Sequence, residues 1–183
     1  TGATTARCLI YVTPDAERTM CTFLGASTQL EPDDLDLSMV SDTKVLYLEG
    51  YLWDSPAAKR AFIAAAEACR AANGQVALSL SDGFCVDRHR DSFLDLVNGH
   101  VDVLFANEVE IKSLYQTYDF DTALASVRGS CSVIAITRGS QGSVVMSGDQ
   151  RWNIGIVGLG DLIDTTGAGD LYAGGFLHGY TQG

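Results

Sequence analysis

The chain has 183 residues, 46% of them hydrophobic, which suits one globular domain with a sizeable core. A net charge of −11 excludes the basic footprint of a nucleic-acid binder, but not a nucleotide held by backbone N–H groups and a divalent cation. No apolar run approaches the roughly 18–20 residues of a membrane span, and no basic segment followed by an apolar one opens the chain, so a cytoplasmic protein is expected.

The first segments alternate as strands do, over residues 7–12 (RCLIYV) and 18–24 (RTMCTFL), and the turn chemistry of TPDAE between them predicts a β-hairpin. A polar stretch, 31–43, follows. From there strands and helices alternate. Residues 44–48 (KVLYL) read as a buried strand. Ser55-Pro56 opens a helix that Asn73-Gly74 closes, with Phe62, Ala66 and Cys69 on one apolar stripe. Residues 75–80 form the next strand, and 87–97 a second helix ended by Asn98-Gly99.

Residues 101–105 are expected to be a strand, with a helix starting at Asn107 and a shorter one over 121–127. Strands at 132–137 and 142–146 flank a turn at 138–141. A weaker strand lies near 151–154, and the last helix starts around Gly167. This alternation predicts a mainly parallel, doubly wound α/β sheet. Cys8, Cys21, Cys69, Cys85 and Cys131 contain no CxxC pair and read as reduced, mostly buried thiols. His89, His100 and His178 show no metal-ligand spacing. The start at Thr1 without methionine, and the end at Gly183 inside a helix-like segment, suggest an internal piece of a longer protein.

The most informative segment is Asp164-Thr165-Thr166-Gly167-Ala168-Gly169-Asp170, followed by apolar, helix-like sequence. Small residues where a helix begins would leave N–H groups pointing out of its positive end, a site for an anion such as a phosphoryl group. An acid in the same turn repels a phosphate, but makes sense if it takes a proton from an attacking hydroxyl. From spacing alone, a first-turn helix acid beside glycines that permit tight packing explains the pattern equally well. The dinucleotide spacing G-x-G-x-x-G is absent, which disfavours a NAD-dependent dehydrogenase.

DTTGAGDLYAGGFLHG resembles the C-terminal signature of the ribokinase-like (PfkB) kinase family. VDVLFANEVE resembles the family's strand followed by Asn-x-x-Glu, and AITRGSQGSVV its strand–turn–strand element. Residues 1–27 resemble its substrate-side hairpin region, while VLYLEGYLW and VALSLSD are closest to the adenosine kinase-like branch. The resemblance implies a three-layer α/β sandwich, with residues 1–26 belonging to a substrate lid and 44–183 forming the nucleotide-binding core. It also places the family's N-terminal portion before Thr1 and the segment completing the adenine pocket after Gly183. The implied reaction is phosphorylation of a nucleoside alcohol by ATP with Mg²⁺. The alternatives are a sugar kinase of the ribokinase or fructokinase type and a non-catalytic nucleotide-binding relative.

Carried over residue by residue, the resemblance makes Asp170 the general base. It makes Gly167, Ala168 and Gly169 the anion hole. Asn107 and Glu110 would organise Mg²⁺ and the phosphates, although their spacing is also that of a helix capping box. Thr137 and Gly139 would contact the nucleotide, or simply shape a hairpin. Asp164 and Thr166 would hold a monovalent cation such as K⁺, or form a local loop turn. Arg18 would reach the transferred phosphate, or be an exposed strand arginine.

Overall fold

The computed structural model describes residues 2–158, 160 and 162–183. By its internal contacts the chain divides into two units, Glu31–Ile156 and Thr1–Leu30 together with Val157–Gly183.

In the second of these, β1 (Arg7–Val12) and β2 (Arg18–Phe23) form the expected antiparallel hairpin, with Arg7 opposite Phe23 and Val12 opposite Arg18. Its loop is closed by the Thr13 N–H on the Glu17 carbonyl and the Ala16 N–H on the Thr13 carbonyl, both 2.9 Å. The Asp15 carboxylate adds bonds from the Thr13 hydroxyl and the Glu17 N–H. Thus the polar residues that marked a turn in sequence also build it.

The Glu31–Ile156 unit opens with two short helical turns, a 3₁₀ turn at Pro32–Asp34 and α1 (Leu37–Ser41). Neither is expected from the sequence, because five residues are too few to display a period. Capping carries them instead: Asp36 accepts from the Ser38 and Met39 N–H groups at 3.0 and 3.2 Å. Next come β3 (Val45–Glu49), a 3₁₀ turn at Gly50–Asp54, and α2 (Pro56–Ala71), whose N-cap is Ser55. Ala58, Ala61, Phe62, Ala65, Ala66 and Cys69 supply the buried face of α2. Asn73 then takes the left-handed conformation (φ 64°) that ends the helix.

After β4 (Gln75–Ser79) the structure differs from expectation. Two helices, α3 (Gly83–Arg88) and α4 (Arg90–His100), replace the single helix anticipated over 87–97. The Asp82 carboxylate caps the Phe84 N–H at 2.9 Å and moves the start forward, while His89 breaks the run. Asn98-Gly99 lies inside α4 rather than ending it. Both residues are exposed there, and burial of Phe93, Leu96 and Val97 outweighs the ~1 kcal/mol helix cost of a glycine.

The unit continues through β5 (Val103–Asn107), α5 (Glu108–Leu114), α6 (Phe120–Val127), β6 (Val133–Thr137), a 3₁₀ turn at Gly139–Gln141, β7 (Ser143–Ser147) and β8 (Gln150–Ile154). Among the described residues the sheet has six strands in the order β3-β4-β5-β6-β7-β8. The first four are parallel, and β7 and β8 join antiparallel. Consecutive residues of β5, β6 and β7 are buried, so both faces of the central sheet are covered. This is why these strands read as continuous apolar runs.

In the smaller unit, the left-handed Gly167 (φ 74°) leads into α7 (Ala168–Gln182). Tyr172, Phe176 and Tyr180 line one side of this helix, with ring centroids 6.4 and 6.1 Å apart. Among the described residues, no helix is long and apolar enough to cross a membrane.

Candidate active site

In the sheet unit, Asn107 ends β5 directly beside Thr137, which ends the parallel strand β6. Ligand-binding residues of α/β sheets concentrate at such carboxyl ends. Asn107 is also the N-cap of α5, and the capping box is complete. Its side-chain oxygen accepts from the Glu110 N–H at 2.8 Å. Glu110 in turn accepts from the Asn107 N–H at 2.8 Å and from its amide nitrogen at 2.7 Å. Both carboxylate oxygens of Glu110 are therefore engaged, yet each keeps a lone pair.

Glu110 is only 6% exposed. Burial pushes its carboxyl up to about 7, the Asn107 N–H works against that rise, and the charges of Asp82 and Glu49 add to it. Glu49 stands at the end of β3 and Asp82 caps α3, so three successive strand–helix junctions carry an acid. Ser81, held at φ 64°, donates to Glu49 at 2.6 Å and accepts from the Gly50 N–H at 2.9 Å. These two acids and this serine went unremarked in sequence. A positive φ at serine has no sequence signature, and the separate acids show no common spacing.

A test follows from the sign of the Glu110 shift. The unfolded group ionises near 4.5 and the folded one near 7. Between those values the native state holds the extra proton, so stability falls as pH rises through that window. Glu110→Gln carries no such proton. Unfolding of the complete protein from about pH 5 to pH 8 should show a pH-dependent loss of up to about 3 kcal/mol in wild type, largely absent in the variant. Parallel pH curves for the two would remove the buried-carboxyl account.

Thr137 leads into the turn containing Gly139 (φ 54°). Arg138, between them, donates to Glu108 at 2.8 Å and lies over the Phe120 ring, 3.9 Å from its centroid. Lys112 also pairs with Glu108, and the two cations hold the Glu108 carboxyl below its usual range, Lys112 first. The basic side chain of this turn is thus committed locally, and the turn offers backbone groups instead.

In the hairpin–helix unit, Asp164 accepts from the Thr166 N–H at 2.9 Å and from its hydroxyl at 2.8 Å. The Thr166 N–H, then its hydroxyl, lower the Asp164 carboxyl, and Arg18 contributes in the same direction. The local turn therefore exists. The Ala168 N–H reaches the Thr165 carbonyl at 3.1 Å, and the Leu171 N–H reaches that of Gly167 at 2.9 Å. The N–H groups of Gly169 and Asp170 find no backbone acceptor among the described residues. Asp170 sits exposed in this first turn of α7. Arg18, 147 residues away in sequence from Thr165, donates through Nη1 to the Thr165 carbonyl at 2.8 Å and to its hydroxyl at 2.7 Å. The structure thus brings Arg18, Asp164, Thr166, Gly167, Ala168, Gly169 and Asp170 into one unit, and Asn107, Glu110, Thr137 and Gly139 into the other.

Among the described residues no three His, Cys, Asp or Glu side chains converge to hold a metal ion. Glu110 fits a hard cation that keeps its waters, because its remaining lone pairs can accept from those waters.

Known proteins align with the chain along most of its length. It is 49% identical to the structure of adenosine kinase from Sinorhizobium meliloti, covering 98% of this chain and 55% of that one, with a TM-score of 0.94. It is 47% identical to a probable sugar kinase from Rhizobium etli, covering 97% and 54%, with a TM-score of 0.93. Adenosine kinase of Saccharomyces cerevisiae is 27% identical over 194 residues, covering 98% of this chain and 56% of that one. The chain therefore spans about half the length of each of these relatives. The fold is the ribokinase-like α/β fold they share. With the family pattern matched from residue 1 to residue 183, the chain belongs to the pfkB family of carbohydrate kinases.

Proposed function

We propose that the protein transfers the γ-phosphoryl group of ATP to an alcohol, and that the acceptor is a nucleoside, adenosine first. The observation that carries this reading is the 164–170 loop. There a left-handed Gly167 opens α7 with N–H groups free of backbone partners, and an exposed carboxylate stands in the same turn. Asp170 accepts the proton of the acceptor hydroxyl, whose oxygen forms a bond to the γ-phosphorus. The bond to the β–γ bridging oxygen breaks, and ADP leaves with that electron pair. The amides of Gly167 and Gly169 take up the charge spread over the phosphoryl oxygens; that of Ala168, bonded to the Thr165 carbonyl, joins them when it turns from that carbonyl to the phosphate, and Arg18 adds a full positive charge.

Asn107, Thr137 and Gly139 are assigned to the nucleotide, and Glu110 to the hydration shell of Mg²⁺. When bound, Mg²⁺ neutralises charge on the phosphate oxygens. Asp164 and Thr166 are assigned to loop order and to a monovalent cation such as K⁺. Residues 1–26 are assigned to a substrate lid and 44–183 to the nucleotide-binding core. Positioning and charge stabilisation dominate phosphoryl transfer, so this modest set of groups suffices.

The nucleoside reading is supported by the adenosine kinase at 49% identity and by the names of several more distant relatives. A sugar acceptor is the second reading, favoured by the probable sugar kinase at 47%. Comparing kcat/KM of the complete protein for adenosine, inosine, ribose and fructose separates them. Adenosine is expected to lead by about tenfold or more, the worth of one well-made hydrogen bond to the base. A free sugar in first place would replace the nucleoside by the second reading.

A further inference from the structure

We infer that Thr165 is a positioning residue, which orients the Arg18 guanidinium beside the start of α7 with its bidentate edge left open to the transferred phosphate. The inference rests on the phosphotransfer reading above and adds to it a residue and a division of labour within the guanidinium.

Arg18 opens β2, immediately after the hairpin loop and opposite Val12. A guanidinium carries five N–H donors in a fixed plane. Here one nitrogen, Nη1, makes both observed contacts, to the carbonyl and the hydroxyl of Thr165. Nη1 has two hydrogens, so these bonds exhaust it. Nε and Nη2 make no bond among the described residues. Together they form the side-on pair that matches two oxygens of a carboxylate or phosphate. Anchoring through Nη1 alone thus restrains the group while sparing its anion-binding edge.

Thr165 has a second tie. Its carbonyl also accepts the Ala168 N–H, which sets the turn through Gly167 into α7. The same peptide therefore positions the arginine and the helix start whose amides face outward. A threonine is suited to the role, because its β-branch leaves few χ1 states and the hydroxyl is already oriented. Asp164, next in the chain, adds a favourable charge for Arg18 without bonding it.

The experiment uses the complete protein. Thr165→Val keeps shape and carbonyl but lacks the hydroxyl, and Thr165→Ser restores it. The valine variant should lower kcat about tenfold with KM for ATP within about twofold, as expected for one hydrogen bond to a charged group that matters in the transition state. Serine should recover most of that loss. In an Arg18→Met background the valine change should have less than about a twofold further effect, because the hydroxyl's partner among the described residues has gone. Amide hydrogen exchange in β2 should also quicken in the valine variant, a readout independent of turnover.

An active wild type with unchanged kcat in Thr165→Val, or with the same loss on top of Arg18→Met, would overturn the positioning role. Failure of serine to rescue would do so too. Absence of phosphotransfer by wild type on every acceptor would instead overturn the function proposed above, and this role with it. Unchanged β2 exchange would then show that the hydroxyl does not anchor the hairpin either.

Discussion

Asp170→Asn in the complete protein is expected to abolish turnover while ATP still binds. Asparagine keeps the size of aspartate, and Asp170 is exposed in the first turn of α7 with no side-chain role in the cap, which is Gly167. The helix start should therefore survive. The variant loses the capacity to accept the hydroxyl proton, and a positioned general base is worth about 10²–10⁴ in rate, so kcat should fall by at least that order. ATP affinity should hold or rise slightly, since a negative charge close to the phosphates has been removed. Initial rates and an ATP-binding titration on the same preparation check both halves. Near-normal kcat would refute the assignment, and joint loss of turnover and ATP binding would make Asp170 a loop-holding residue.

The largest expected stability loss is at Gly142, where the chain leaves the 139–141 turn for β7. Its backbone lies at φ 81°, ψ −130°, a region that side chains rarely enter. A Cβ there would run into the Ile154 carbonyl oxygen and lie 3.0 Å from Gly155 Cα, both backbone atoms of the neighbouring strand and its exit. Gly142 also accepts from the Arg138 N–H at 2.8 Å, so it is held from both sides. Strain and overlap each cost about 1–3 kcal/mol, and Gly142→Ala should destabilise the complete protein by about 3 kcal/mol or more. Gly139→Ala provides the contrast, because open space surrounds its Cβ position and only the positive φ of 54° opposes it. Chemical denaturation of both variants measures the difference. Equal midpoints would mean that the β7–β8 backbone yields.

Much of this was legible in the sequence because its causes are local. The hairpin followed from two apolar segments around TPDAE, and α2 from Ser55-Pro56 at one end and Asn73-Gly74 at the other. The Asn107–Glu110 capping box was legible from its spacing alone and formed as such. The short α1 and the early start of α3 rest on local caps without a visible period, whereas at the end of α4 a tertiary effect overrides a local one. The Asn98-Gly99 pair carries a stop signal, but α4 runs through it because the inward side chains of that turn are buried.

The order of elements, the mainly parallel sheet and the 164–170 motif belong to the sequence by itself, since periodicity, caps and short-range turn chemistry act within a few residues. Only the tertiary structure decided the rest. The placement of Asn107 beside Thr137 depends on strand register, set by which apolar faces pack together. The ionisation of Glu110 near 7 depends on its burial and on Asp82 and Glu49, which are remote from it in the chain. The anchoring of Arg18 on Thr165 joins residues 147 positions apart. Hydrogen bonds and fields of this kind act through space, over a few ångströms, and chain separation carries no record of them.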